Sequence, residues 1–189
     1  MPPSSLEIFV IQGYNSSIVP EWLAGISIYL PNLQSVKLKG LSQCSSLPPL
    51  GQLPNLKELV LEAMPSITKM DTGSWGASMK AYSLLNQLVI SDMVNLEELS
   101  TTCSCGEGIA DEFMFPSLKD LTIKECHKLR VVRTPRALAP LKSLNLDRFQ
   151  ECLSSLGDLT SLQSLRLASF QSIFKPYQNI WVVLCLTRN

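Results

Sequence analysis

The feature that most constrains this chain is the spacing of its leucines. A template of the form L-x-x-L-x-L, usually closed by a further apolar residue or a cysteine, recurs seven times. The copies are Leu6, Phe9, Ile11, Tyr14; Leu33, Val36, Leu38, Leu41, Cys44; Leu56, Leu59, Leu61, Met64; Leu85, Leu88, Ile90, Met93; Leu118, Leu121, Ile123, Cys126; Leu141, Leu144, Leu146, Phe149; and Leu162, Leu165, Leu167, Phe170. Successive first leucines lie 27, 23, 29, 33, 23 and 21 residues apart. Self-similarity at such a period marks a stack of structural units, and it outranks any local motif as a guide to the fold.

Within each x-L-x-L-x stretch the period is two, so the central apolar pair points to one side of a strand and its neighbours to the other. One unit has no interior of its own. Stacking the units buries a continuous leucine spine and aligns the strands as one parallel sheet. The expected fold is therefore an α/β solenoid, a leucine-rich repeat horseshoe of about seven repeats. Its parallel β-sheet lies on the concave face and its convex segments are irregular or briefly helical. Cys44 and Cys126 fall at inward turn positions, and Cys152 lies three residues after Phe149. A buried cysteine there acts as a small apolar residue, and all six cysteines are expected as free thiols.

The repeat array is expected to run over residues 1–173. Two stretches break its period, Asp71 to Tyr82 and Ser100 to Met114. Both are rich in glycine, serine and threonine, so surface loops rather than strands are expected there (insertions 71–82 and 100–114). Residues 174–189 form an off-pattern tail with an apolar run, Trp181 to Leu186, and neither end offers a polar cap. The tail either folds back over the last repeat or is foreign to the array.

Charge excludes several functions. Lys+Arg and Asp+Glu both total 16, so no net field draws nucleic acid or an anionic membrane. One histidine, His127, leaves the chain poor in general bases and metal ligands. Cys103-x-Cys105 has the wrong spacing for a structural zinc site and lacks further ligands. No phosphate loop, nucleophile elbow or H-E-x-x-H occurs. The chain is expected to be no enzyme, with no cofactor, metal or small-molecule substrate. It opens without a signal peptide, and its longest apolar run, Ile180 to Leu186, is far short of the about 20 residues of a membrane span. A cytoplasmic location is expected.

The segments between the strands carry a family resemblance. Ile11-Gln12-Gly13-Tyr14 with Pro20-Glu21-Trp22-Leu23 resembles the "I-x-G-Y … P-x-W-L" block of plant coiled-coil-type NLR disease-resistance receptors. Leu47 to Lys57, LPPLGQLPNLK, is similar to that family's "LPPLGQLPxLK" stretch. Ile90 to Glu98 resembles its "I-x-D-M-x-N-L-E-E" block, and Phe115 to Leu129 its "FPSLxxL-x-I-x-x-C-x-K-L" block. These blocks follow the family's order over residues 6–132. The resemblance implies a recognition module that senses a pathogen effector or an altered host protein. It also implies a region that restrains the nucleotide-binding domain of the full-length receptor. The alternatives are a stand-alone repeat scaffold or a truncated receptor relic.

The outward positions of the strands need not pack, so they are the candidate binding residues. The middle column comprises Val10, Lys37, Val60, Val89, Thr122, Asn145 and Arg166. Beside it stand Lys39, Glu62 and Lys124 in one column and Glu58 in the other. A protein partner is expected on this face, with Val60 and Val89 near the centre of contact and the charges at its rim.

Overall fold

In the computed structural model each x-L-x-L-x segment is an extended strand, and the leucines account for the stacking. The structure describes residues 3–17, 20–70, 82–100, 102–103, 112–113, 115–129, 131–133, 140–147, 161–168 and 182–185. In chain order the strands are β1 (Ile8–Gln12), β2 (Ser35–Lys39), β3 (Glu58–Glu62), β4 (Lys69–Met70), β5 (Gln87–Ser91), β6 (Glu98–Ser100) and β7 (Thr102–Cys103). They continue with β8 (Glu112–Phe113), β9 (Asp120–Lys124), β10 (Val131–Arg133), β11 (Ser143–Asp147), β12 (Ser164–Ala168) and β13 (Val182–Cys185).

The main sheet has eight strands in the order β1-β2-β3-β5-β9-β11-β12-β13. The first seven are the seven repeat strands, all parallel and without a register slip. A slip by one residue would turn every leucine outward, so the buried face fixes the register. The leading leucines Leu33, Leu56, Leu85, Leu118 and Leu141 are 0–1% exposed, and the strand pair Leu59 and Leu61 is wholly buried. The first repeat differs: Leu6, Phe9, Ile11 and Tyr14 are only partly buried, with one neighbour instead of two. Trp22 meets the Phe9 ring edge-on at 5.6 Å.

The convex side starts with two single-turn helices, α1 (Glu21–Ala24) and α2 (Ile26–Tyr29). Pro20 precedes the first, where a proline's fixed φ suits a helix start. Pro31 follows the second and disfavours helical backbone at Leu30. A 3₁₀ turn at Leu50–Gln52 serves the next repeat. Leu23, Ile26, Leu30 and Leu50 close the core from this side.

Each described repeat strand from β1 to β9 ends in a left-handed residue: Gly13, Gly40, Ala63, Asp92 and Glu125, with φ of 68°, 64°, 54°, 53° and 52°. The backbone N–H of the first four donates across to the last strand residue of the next repeat, at 2.9–3.0 Å. The turn is thus part of the inter-repeat hydrogen bonding, and its geometry is kept whether or not glycine is present. For an L-residue left-handed backbone costs roughly 1–2 kcal/mol, while glycine gives back part of that through unfolded-state entropy. Ala63→Gly is therefore expected to stabilise the array by about 0.5–1 kcal/mol. A rise in the urea midpoint at unchanged slope checks this, and a fall contradicts it.

Polar side chains supply a second set of inter-repeat bonds. The residue before the leading leucine donates to a carbonyl one repeat back: Asn32 Nδ2 to Ser4 O at 3.1 Å, Asn55 Nδ2 to Pro31 O at 3.1 Å, and Ser117 Oγ to Ser83 O at 2.6 Å. The residue before the next inward apolar position does likewise, Ser66 to Ser42 O and Asn95 to Pro65 O. These bonds satisfy carbonyls that irregular backbone would otherwise leave open.

Three features depart from the sequence expectations, and a fourth agrees with one of two alternatives. A second parallel sheet, β10-β6-β4, runs where irregular or helical backbone was expected. The 100–114 insertion contains strand: Ser100 ends β6, and β7 pairs antiparallel with β8. Threonine and phenylalanine at the ends of the insertion favour extended pairing, while residues 104–111 between them lie outside the described residues. Tyr82, counted as the last residue of the other insertion, is 1% exposed and stacks on Phe115 at 5.1 Å. Residues 71–81 lie outside the description. The fourth is β13 from the off-pattern tail, which turns back to pair antiparallel with β12 of the last repeat, as the fold-back alternative has it.

Candidate recognition surface

The register sets the outward residues in three straight columns. The middle one runs Val10, Lys37, Val60, Val89, Thr122, Asn145, Arg166 across seven strands. Glu58 lies in the column on its N-terminal side, and Lys39, Glu62 and Lys124 in the column on its C-terminal side. All eleven candidate residues thus lie on one face.

The charges on β2 and β3 are closed on themselves. Lys37 Nζ lies 2.9 Å from Glu58 Oε1, and Lys39 Nζ 2.7 Å from Glu62 Oε2. Ser35, nearly buried, donates its hydroxyl to Glu58 Oε2 at 2.6 Å. The Ser35 hydroxyl, with Lys37 assisting against some burial, holds the Glu58 carboxyl below its ordinary 4.5. A depressed folded-state pKa contributes stability above the unfolded value and loses it as pH falls through the folded one. Ser35→Ala should move the Glu58 titration upward and shrink the stability lost on acidifying below the ordinary carboxylate value. A carboxyl titration by NMR that showed Glu58 unmoved would contradict this.

Val60 is not the apolar centre that the sequence suggested. It is 9% exposed. It stands in register between Lys37 and Val89 and is flanked along its strand by Glu58 and Glu62. Lys37, Glu58 and Glu62 are all longer than Val60, and long side chains beside a short one shield it from solvent. Val89 is half-buried, and the open apolar residues of the face are Ile8 and Val10 on β1, 62% and 51% exposed. At the far end Ala168, also an outward position, is buried.

The half of the face on β9, β11 and β12 is different. Asp120, Lys124 and Arg166 are exposed, and Thr122 and Asn145 are half-buried. Lys37 and Lys39 are ion-paired and His127 lies 3.4 Å from Glu125, whereas Lys124 and Arg166 form no ion pair among the described residues. Asp147, which the sequence placed in a column without singling it out, keeps Oδ1 out of solvent and without a hydrogen-bond partner.

The chemistry elsewhere is quiet. Cys44 and Cys126 are buried free thiols. Cys44 Sγ donates to Ser16 O at 3.4 Å, and Cys126 Sγ to Lys124 O at 3.2 Å. Burial pushes the Cys126 thiol up to about 11, so it holds little nucleophilic thiolate at neutral pH. Cys105 and Cys152 lie outside the described residues. Among the described residues no group of three His, Cys, Asp or Glu side chains could hold a metal ion, and no helix is long and apolar enough to cross a membrane.

Residues 1–64 match the family described as R13L1/DRL21 LRRs. The chain is 29% identical over 167 residues to RGA1 of Solanum bulbocastanum, a protein named for disease resistance, covering 88% of this chain and 16% of that protein. It is 30% identical over 136 residues to an Arabidopsis thaliana protein likewise named for disease resistance, covering 68% and 9%. The disease resistance protein RGA2 of Solanum bulbocastanum is 30% identical over 148 residues, covering 75% and 14%. The chain spans no more than 16% of the length of these relatives. Repeat spacing, strand register and these matches together make the chain a leucine-rich repeat array related to plant disease-resistance proteins.

Proposed function

We propose that the chain is the recognition module of a plant immune receptor. Its concave face meets a pathogen effector or a host protein altered by one. The observation that carries this reading is the division of labour in the main sheet: the inward residues build the core, and an outward face seven strands wide remains for a partner. The disease-resistance names of the relatives supply the physiological setting. A concave sheet of tuned outward side chains is the surface that repeat solenoids use for binding proteins.

The same reading gives the array a second task, holding a nucleotide-binding switch closed until the partner arrives. Such restraint is a population shift, and the partner must bind the released state better than the restrained one. The chain itself carries no G-x-x-x-x-G-K-[ST] loop, so the switch would be supplied by a longer polypeptide. Mapping the transcript upstream of Met1 tests this. Continuation into a coiled coil and a phosphate loop is the expected result. A transcript that begins at Met1 would overturn the switch and leave a stand-alone binding scaffold.

A further inference from the structure

The concave face contains a controlled comparison within itself. Lys39 and Glu62 are direct cross-strand neighbours in one column, and they close at 2.7 Å. Lys124 and Asp147 are direct cross-strand neighbours in the same column, again cation before carboxylate. Among the described residues they form no ion pair, Lys124 is exposed, and Asp147 Oδ1 has no hydrogen-bond partner. The covalent difference is one methylene: aspartate is shorter than glutamate and sits lower against the sheet. One strand further on, Arg166 is exposed and also stands without an ion pair.

We infer that a partner protein is gripped on the β9–β12 half of the face, through an acidic side chain seated between Lys124 and Arg166. This rests on the proposed concave recognition and assigns it a place and a chemistry. Lys124 and Arg166 lie two strands apart and one column apart, so their Cα atoms are separated by about 12 Å. Two long side chains span that gap from both sides and converge on one carboxylate. Arginine offers a planar fork for it and lysine a point charge. Asn145 lies in register beside Arg166, and Thr122 beside Asn145, which puts two further polar groups at the floor of the seat. Asp147 stands between Lys124 and Arg166 on β11 with Oδ1 out of solvent, so the two cations keep the seat net positive. Asp120 stands in the far column and repels a second acid there, which fixes the partner's orientation. The cations of β2, Lys37 and Lys39, are already neutralised by Glu58 and Glu62 of β3 and offer a partner acid much less.

The test is selection from a displayed library of short random peptides on the full chain. The wild type should enrich peptides bearing an aspartate or glutamate. Lys124→Glu with Arg166→Glu should weaken those peptides about tenfold or more, as losing a desolvated charge contact does. Lys124→Gln with Arg166→Gln should weaken them without new repulsion. Lys128→Gln should leave them within about twofold, since Lys128 is an exposed lysine outside the candidate columns, bonded to Asn95 Oδ1 at 2.8 Å. The substituted side chains lie outside the buried core, and melting curves confirm that the variants fold. Enrichment without acidic residues, or acidic peptides indifferent to the Lys124 and Arg166 variants, would overturn the inference. If such binding is still lost on Lys37→Gln, concave recognition stands while the acidic seat falls. If no enriched peptide depends on any concave residue, both fall.

Discussion

Phe115→Ala is expected to cost about 3–5 kcal/mol, the range for emptying a buried aromatic site. Phe115 is fully buried, and its ring lies 5.1 Å from that of Tyr82 with the planes at 42°. The pair sits where the 29- and 33-residue spacings interrupt the regular period, so these aromatics replace packing that a tighter repeat would supply with leucine. Burial pushes the Tyr82 phenol upward, so that ring stays neutral and packed under ordinary conditions. Urea denaturation gives the total loss, and amide exchange should place it in β5 and β9 first. Phe115→Leu should recover part of the loss, because a smaller cavity costs less. A loss under 1 kcal/mol, by contrast, would mean that the Tyr82–Phe115 contact does not form in solution.

Leu59→Ala is expected to cost about 2–5 kcal/mol by the same cavity argument. Leu59 is wholly buried on β3 and lies in register between Val36 and Leu88. In a stack where each repeat touches only its neighbours, one alanine weakens two interfaces. The loss should therefore show as a lower midpoint together with earlier exchange on both β2 and β5. An effect confined to one of them would contradict the stacked geometry.

The seven parallel strands were legible in the sequence because two periods coincide. The alternation inside x-L-x-L-x sets which side each residue faces, and the longer spacing sets what lies beside it. The columns followed from the same arithmetic. The second sheet was not legible: Lys69–Met70, Glu98–Ser100 and Val131–Arg133 are too short to show a period. The left-handed turns had a visible cue at Gly13 and Gly40 and a weaker one at Asp92; nothing in the identity of Ala63 or Glu125 announces positive φ. Exposure within a column was also hidden. Val60 reads as an open apolar residue until Lys37 and Glu58 are seen to close beside it. Likewise the pairs Lys39–Glu62 and Lys124–Asp147 look alike in sequence, and only the reach of the acid separates a satisfied pair from an open one. Site chemistry here depends on side-chain length against a fixed backbone, which pattern alone does not encode.

The reversed strand β13 has a consequence for growth of the array. Along the main sheet from β1 to β12 each strand follows its neighbour in the same direction and the same register. That pattern is broken at β13, which runs the other way along β12. The two edges of the sheet thus differ in kind, a repeat strand at one and a reversed strand at the other. At β1 the half-covered Leu6, Phe9 and Ile11 present the same kind of surface that β2 offers to β1. A parallel unit of this kind would match the pattern at the β1 edge, whereas the β13 edge presents a reversed strand.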